Sequence, residues 1–582
     1  MKRVSILLVA LVLAACSSAL AQSLRSLLPA DTVFAVGVQG LSGQQAKIQP
    51  FIDEFDRLGV AKAFQDAFAS TGKQAERLAK LPNLNQMPEE LKGLGALDIL
   101  GNEAYLAVAV RQGNPLPAVV FVAKVDAKAQ AAATRLVAKE AGMAGVQKLT
   151  EGKIDFYVSK VDDGSGTTTV VAYAQDGALV ALSNNPDALR GVLRRQQGAS
   201  EPSFTDGAGY KATLGALGSG NVMMYVDLAP LAGMAQPLLA AQGMDALSKR
   251  LANALTTIGT SGDVTVITSK GVESKSLRLL GPSDQDPALY ALLSSSTPAS
   301  TDPLGFVPTD ALSVSSSAVD LGGWWDYLGG LVASAPQLGV TDLNQFVQGM
   351  VGIDLKAALF AWAGGNVAII STPSPAPQQA GMPTSDVLGS SVFVLKSKDD
   401  AAAAKGLGDL FTKLSSQLAG FTNPSGNGAP AAPETQQVAG ATLTTITLAP
   451  TVKLSYAVTK GHAFVGTSAK ALQDVLQAVQ SGGALPAALA AMRPMVNANA
   501  TSFTLTDAKA SMQNSSASLV TGIQTFAGMG GSQNLDIAKV QAATNALQKF
   551  LDFVAGRLGG SYSYQQTSGG TVTGHGLTQV SW

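Results

Sequence analysis

The chain has 582 residues, a length that predicts two to four domains rather than one. Hydrophobic residues make up 46% and charged residues 14%, with 40 Lys and Arg against 41 Asp and Glu, which excludes a disordered chain and a basic nucleic-acid binder. One Cys and two His exclude a disulfide framework and a Cys-based zinc site, and they point to no metal and no cofactor.

The N-terminus reads as an export signal over residues 1–21. Lys2 and Arg3 precede an apolar run from Val4 to Ala15, shorter than the ~20 residues of a transmembrane helix. Two cleavage sites compete within it. Leu13-Ala14-Ala15-Cys16 has the form of a bacterial lipobox, in which Cys16 becomes the acylated first residue. Ala19-Leu20-Ala21 has the A-x-A form of an ordinary signal-peptidase site. Acyl chains on Cys16 would anchor the protein to a membrane, at ~0.8 kcal/mol per buried CH₂. Cleavage after Ala21 would release a cysteine-free product. Either route places the protein in the cell envelope, on the periplasmic face of a membrane or at the cell surface, or else secretes it. Removing residues 1–15 leaves a net charge of −3. No later segment is predicted to span a bilayer, since Leu355 to Ile370 is cut by Gly364, Gly365 and Asn366.

Beyond the signal, Ile48, Phe51, Ile52 and Phe55 repeat at helical spacing, and Val60, Ala63, Phe64, Ala67 and Phe68 do so again after Gly59. Val119 to Ala123 is a β-branched and aromatic run that predicts a strand, followed by an Ala-rich helix with Asp126 at its N-cap. Asp162-Asp163-Gly164-Ser165-Gly166 separates two strand-like runs and reads as a hairpin turn, because it lacks the spaced ligands of a calcium loop. Leu247, Leu251, Leu255 and Ile258 mark a helix ahead of a hairpin formed by Asp263–Thr268 and Val272–Leu280.

The same succession then recurs. Leu27 to Leu41 is echoed by Phe306 to Leu321, Ala118 to Val137 by Ser390 to Phe411, and Asp176 to Leu193 by Lys460 to Leu476. In the second copy Asp399 takes the N-cap place of Asp126. Val540, Leu547, Leu551 and Val554 again precede a hairpin, here Ser561–Gln566 and Thr571–Val580. This order predicts a tandem duplication. The first repeat covers residues 22–292, a Ser/Thr/Pro linker covers 293–303, and the second repeat covers 304–582 with disordered inserts at 372–386 and 422–435. Each copy is long enough for its own core. The predicted class is α+β, with each copy a mainly antiparallel sheet and helices packed on one face.

Four segments carry a resemblance: Leu28-Pro29-Ala30-Asp31-Thr32, Val307-Pro308-Thr309-Asp310, Gly352-Ile353-Asp354 and Gly364-Gly365-Asn366-Val367-Ala368. With them the chain resembles a domain-of-unknown-function family of exported bacterial proteins. The first copy departs from the paired-Gly pattern at Gly101-Asn102-Glu103-Ala104. The resemblance implies location and fold, and no activity.

Catalytic signatures are lacking. There is no G-x-S-x-G elbow, and Ser70-Thr71-Gly72-Lys73 lacks the downstream elements of a serine acyltransferase. His462 and His575 are read as structural. The aromatic cluster Trp324, Trp325 and Tyr327, between Gly322-Gly323 and Gly329-Gly330, offers candidates for partner contact, against a competing reading as core. The resulting expectation is a non-enzymatic envelope protein with a binding or structural role, held to the membrane through Cys16. Its partner would be an envelope protein or an apolar ligand, with no nucleic acid. Two alternatives stay open: a carrier or chaperone for a lipid, and a hydrolase using an unrecognised carboxylate site.

Overall fold

The computed structural model describes residues 23–68, 94, 98, 102–110, 116–143, 145–162, 168–373, 390–422, 432–449, 452–528 and 536–582. Cys16, both cleavage sites and most of the two predicted inserts lie outside them. Ten strands belong to the first half: β1 (Thr32–Gln39), β2 (Glu103–Ala109), β3 (Ala118–Lys124), β4 (Val146–Glu151), β5 (Ile154–Asp162), β6 (Thr168–Asp176), β7 (Leu179–Ser183), β8 (Val222–Asp227), β9 (Thr260–Ile267) and β10 (Gly271–Leu279). Ten belong to the second: β11 (Ser313–Ala318), β12 (Ala363–Thr372), β13 (Ser390–Ser397), β14 (Glu434–Val438), β15 (Ala441–Ala449), β16 (Val452–Thr459), β17 (His462–Gly466), β18 (Ser502–Asp507), β19 (Leu558–Ser568) and β20 (Thr571–Val580).

All twenty strands join one antiparallel sheet, so the class is α+β. The first half runs β4-β5-β6-β7-β3-β2-β1-β8-β9-β10 from its outer edge inward. The second runs β14-β15-β16-β17-β13-β12-β11-β18-β19-β20, which is the same order. The halves meet where β10 pairs with β20, from Gly271 opposite Gln579 to Leu279 opposite Thr571, with Lys275 facing His575 at the midpoint. The predicted hairpins correspond to β9–β10 and β19–β20. The second turns through Gly569 and Gly570, both at positive φ (55° and 80°), the two-residue geometry whose twist matches the flanking strands.

Helices cover both faces of the sheet, not the single face expected from the sequence. On one face, Val120 and Val122 of β3 pack under α4 (Pro186–Gln196), with Leu189, Val192 and Leu193 fully buried. Phe121 and Ala123, the alternate residues, face the other way and pack against α3 (Ala127–Ala141). The second half repeats this, with α11 (Ala469–Ser481) over Val392, Val394 and Phe464 and α10 (Asp400–Thr422) over Leu395 and Val465. The cause lies in β3 and its neighbours. A strand apolar at every residue has no face fit for water, so both sides need cover. The expected caps are present: Asp126 accepts from Ala129 N at 2.8 Å, and Asp399 from Ala401 N and Ala402 N at 2.9 and 3.0 Å.

The helices also cross between the halves. α1 (Gln45–Arg57) and α2 (Val60–Phe68) leave the first half and pack on α14 (Ile537–Ala555) of the second. Phe51 meets Phe553 edge-on at 5.8 Å, Phe55 meets Phe550 at 5.1 Å, and Ala67 is buried with Val540 and Ala543. In return α8 (Leu321–Ala333) of the second half packs on α6 (Asp245–Ile258) and α7 (Pro287–Leu293) of the first, burying Tyr327 with Ala254 and Leu289. The remaining long helices are α5 (Ala229–Ala240), which pairs with α6, and α13 (Ala508–Gly528), which pairs with α14; α9 (Leu343–Val351) follows α8, and α12 (Ala487–Met492) lies over β18 and β19.

This interlock generates a folding prediction. A protease recognition site inserted between Ser295 and Pro298, where the connection is exposed, should be cleavable without separating the halves. The nicked protein should elute at the volume of the uncut chain and melt in one transition. Two independently eluting pieces would show that the paired strands and exchanged helices do not hold the halves together.

Candidate functional site

At its centre the sheet loses its helical cover, and side chains at the middle of β10 and β20 meet solvent, while β9 packs against Leu214 and Leu217 and β19 lies beside α12. The pairing sets two cross-strand rows on one face. The first runs Val266, Glu273, Leu577, Tyr562, and the second runs Val264, Lys275, His575, Tyr564. Beyond the tyrosines on β18 stand Leu505 and Phe503, both buried core residues. Polarity in the second row therefore peaks in the middle, at exposed Lys275 and His575, between buried Val264 at one end and buried Phe503 beyond the other. The Tyr564 ring lies 5.4 Å from His575 with 27° between planes, and 6.3 Å from Tyr562 with 11° between planes. Burial, followed by the neighbouring Tyr564 and the charge of Glu273, raises the Tyr562 hydroxyl above its usual titration range.

Glycine shapes the reverse side. A Cβ on Gly574 would stand 2.2 Å from Ser276 Oγ, and one on Gly576 would stand 2.7 Å from Ser274 Oγ. Bare backbone there lets the β10 hydroxyls lie flat on β20, while His575, between the two glycines, stands on the ring-bearing face. The reverse face continues as a row of hydroxyls across five strands, through Thr578, Ser561, Thr506, Ser313, Ser371 and Ser391, the last on a sixth. Hydroxyls tolerate water, which is why this stretch needs no helix.

The aromatic cluster singled out in the sequence lies elsewhere, on α8. Asp320 caps that helix by accepting from Gly323 N at 2.9 Å. Tyr327 is buried, and its hydroxyl donates to Asp286 Oδ2 at 2.9 Å. The Arg250 guanidinium sits 5.5 Å from the Tyr327 ring and donates to the Gly330 carbonyl at 2.5 Å. The flanking glycines serve this seam: a Cβ at Gly323 would meet Leu292 at 2.8 Å, and one at Gly330 would meet Arg250 at 2.7 Å. Tyr327 is accordingly a seam residue and not a contact residue, because its hydroxyl is committed to Asp286 away from solvent. Trp324 packs edge-on to Tyr327 at 6.1 Å, Trp325 lies 5.4 Å from Phe360, and both are half-buried.

His462 is buried at the start of β17, and its Nδ1 donates to the Lys460 carbonyl at 2.9 Å. Among the described residues no group of three or more His, Cys, Asp or Glu could hold a metal ion. No described helix is long and apolar enough to cross a membrane. What the centre of the sheet offers is recognition chemistry: parallel rings, one carboxylate acceptor, one ammonium donor and an imidazole. Sequence reasoning missed it. The signal was the alternation Tyr562-Ser563-Tyr564 together with Gly574-His575-Gly576, which gains meaning only when β19 and β20 are laid side by side.

The model of a protein family of unknown function, DUF3352, matches residues 98–552. The chain belongs to that family. The matched segment includes β2 to β18, while β1 precedes it and β19 and β20 follow it. No curated protein matches. Among solved structures, one titled "Structure of crystal form I of TP0453" is 9% identical, with a TM-score of 0.20 and coverage of 45% of this chain and 80% of that one. A score that low carries no argument about fold.

The seam makes a pH prediction. Burial, with the Asp286 carboxylate that accepts its hydrogen bond, pushes the Tyr327 hydroxyl up to about 12. The folded protein thus holds this proton more tightly than the unfolded chain, whose Tyr titrates near ~10. The stabilisation is complete below pH ~10 and is lost as pH rises through about 12. Melting temperature should therefore fall across that window, and Tyr327→Phe should flatten the fall while lowering the plateau beneath it. An identical alkaline slope in the variant would remove Tyr327 as its source.

Proposed function

We propose that this member of the family is an exported, non-catalytic protein of the cell envelope, with a binding or structural role and a lipid anchor at Cys16. The observation that carries the reading is the open centre of the sheet, where binding groups gather on a rigid antiparallel platform and His575 is seated against the Tyr564 ring rather than on a nucleophile. The export reading draws on Lys2, Arg3, the apolar run to Ala15 and Cys16. A tandem duplication, with repeats at 22–292 and 304–582, belongs to the same proposal. It is supported by the identical strand order of the halves and by the 300-residue offset between β10 and β20, which aligns Val272 with Val572 and Leu277 with Leu577.

The anchor is tested in cells fed labelled palmitate. Wild-type protein should take up label and pellet with membranes, and Cys16→Ala should lose both. An unlabelled wild-type protein would end the lipoprotein reading and leave cleavage at Ala21.

Trp324 and Trp325 are proposed as partner contacts, supported by their half-exposed position on α8. Burying a Trp fully and then truncating it to Ala costs ~3–5 kcal/mol. Trp324→Ala and Trp325→Ala should cost clearly less than that by denaturant unfolding and should weaken envelope association. A full core-sized loss with association intact in the folded fraction would return both residues to the core.

A further inference from the structure

We propose that the open centre of the sheet binds a neutral glycan chain laid across β10, β20 and β19, an inference that rests on the binding reading above and names its ligand class. Tyr562 and Tyr564 follow each other along β19 and His575 lies across from Tyr564 on β20, so three rings in nearly parallel planes meet at Tyr564, at centroid separations of 6.3 and 5.4 Å, with His575 exposed and the tyrosines half-buried. Sugar rings present apolar C–H faces that pack on aromatic rings, and aromatic side chains supply contact area at low entropy cost. The hydroxyls on the sugar rim require both acceptors and donors. Glu273 supplies the acceptor and Lys275 the donor, on the same face of β10 two residues apart.

Charge narrows the ligand further. The patch holds one carboxylate and one ammonium, so it carries no net charge to attract a polyanion such as nucleic acid. An acyl chain is disfavoured as well, because seating it would strip water from both charged groups at the middle of the patch. A neutral, hydroxyl-rich and intermittently apolar polymer meets none of these penalties. The cross-strand spacing of ~4.8 Å places the side chains at regular intervals, which suits a repeating ligand. The row is also one-sided. Opposite the β10–β20 axis the positions equivalent to Tyr562 and Tyr564 are Gly262 and Val264, so one glycan row is expected per chain and not two.

The purified full-length protein is titrated by calorimetry with three neutral hexasaccharides (β-1,4-linked glucose, β-1,4-linked N-acetylglucosamine and α-1,4-linked glucose) and with heparin as the polyanion. At least one neutral hexasaccharide should bind with Kd below ~1 mM, and heparin should not. His575→Ala changes an exposed ring without touching the core, and Glu273→Gln removes the carboxylate's charge. Each should weaken binding at least tenfold while leaving the melting temperature in place. Tyr564→Ala should do the same in its folded fraction, and Tyr564→Phe should restore binding. Pull-down on insoluble glycan prepared from cell walls then separates a polymer ligand from a free oligosaccharide, and retention lost in His575→Ala supports the same patch in either case. Failure of all three neutral glycans, preference for heparin, or binding unchanged in His575→Ala and Glu273→Gln would overturn the inference. Because membrane association through Cys16 is read separately, such a failure would not be mistaken for failure of the envelope reading.

Discussion

The antiparallel pairing of β10 with β20 is the constraint about which the rest of the molecule is arranged. Its register is symmetric about its midpoint: Gly271 faces Gln579 and Leu279 faces Thr571, with Lys275 and His575 opposite each other at the centre. Two equivalent edges pairing this way generate a local two-fold relation, as at an isologous subunit interface. From that relation follow the mirrored strand order on either side and the reciprocal exchange of helices, with α1 and α2 crossing in one direction and α8 crossing in the other. A sheet of this width with free central edges would be open to pairing with other chains. Joining the two edges within one chain removes that hazard at its most exposed place, and leaves as outer edges, among the described residues, the short strands β4 and β14, which carry Lys148, Glu151 and Glu434.

The same pairing decides where the sheet is covered. In each half the strands midway to the outer edge, β3 and β7 in the first and β13 and β17 in the second, carry apolar residues on both faces and are sandwiched between helices. Toward the junction the side chains become Ser, Thr, Gly, Tyr, Lys and His, and the helical cover thins over the middle of β10 and β20. The aromatic contacts of α1 with α14 and of α8 with α6 and α7 therefore lie at opposite ends of β9, β10, β19 and β20. They clamp the junction without lying on its open face. Trp582 joins this clamp, with its indole Nε1 donating to the Thr268 carbonyl at 2.8 Å and its ring 6.3 Å from Phe51. Rigidity at the junction and openness above it come from one arrangement. A surface that recognises a ligand by ring faces and a few polar groups needs both, since ordering a mobile surface on binding costs free energy that a preformed one does not.

Much of the local structure could be read directly from the residues. Asp126 and Asp399 announce helix starts, Val119 to Ala123 and Val392 to Leu395 announce strands, and the closing hairpin of each half is visible in its alternation. These signals depend on neighbours two to four residues apart, so the sequence alone determines them. The unbroken apolar run of β3 also contained the information that both faces are buried, which the one-face expectation overlooked. Tertiary structure alone decided the rest. The register of β10 on β20, the crossing of helices between halves, the commitment of Tyr327 to Asp286, and the meeting of Tyr562 and Tyr564 with His575, Glu273 and Lys275 join residues tens to hundreds of positions apart. No local propensity encodes such meetings. They are set by which edges pair and which apolar faces find cover, and those choices are made by packing over the whole sheet.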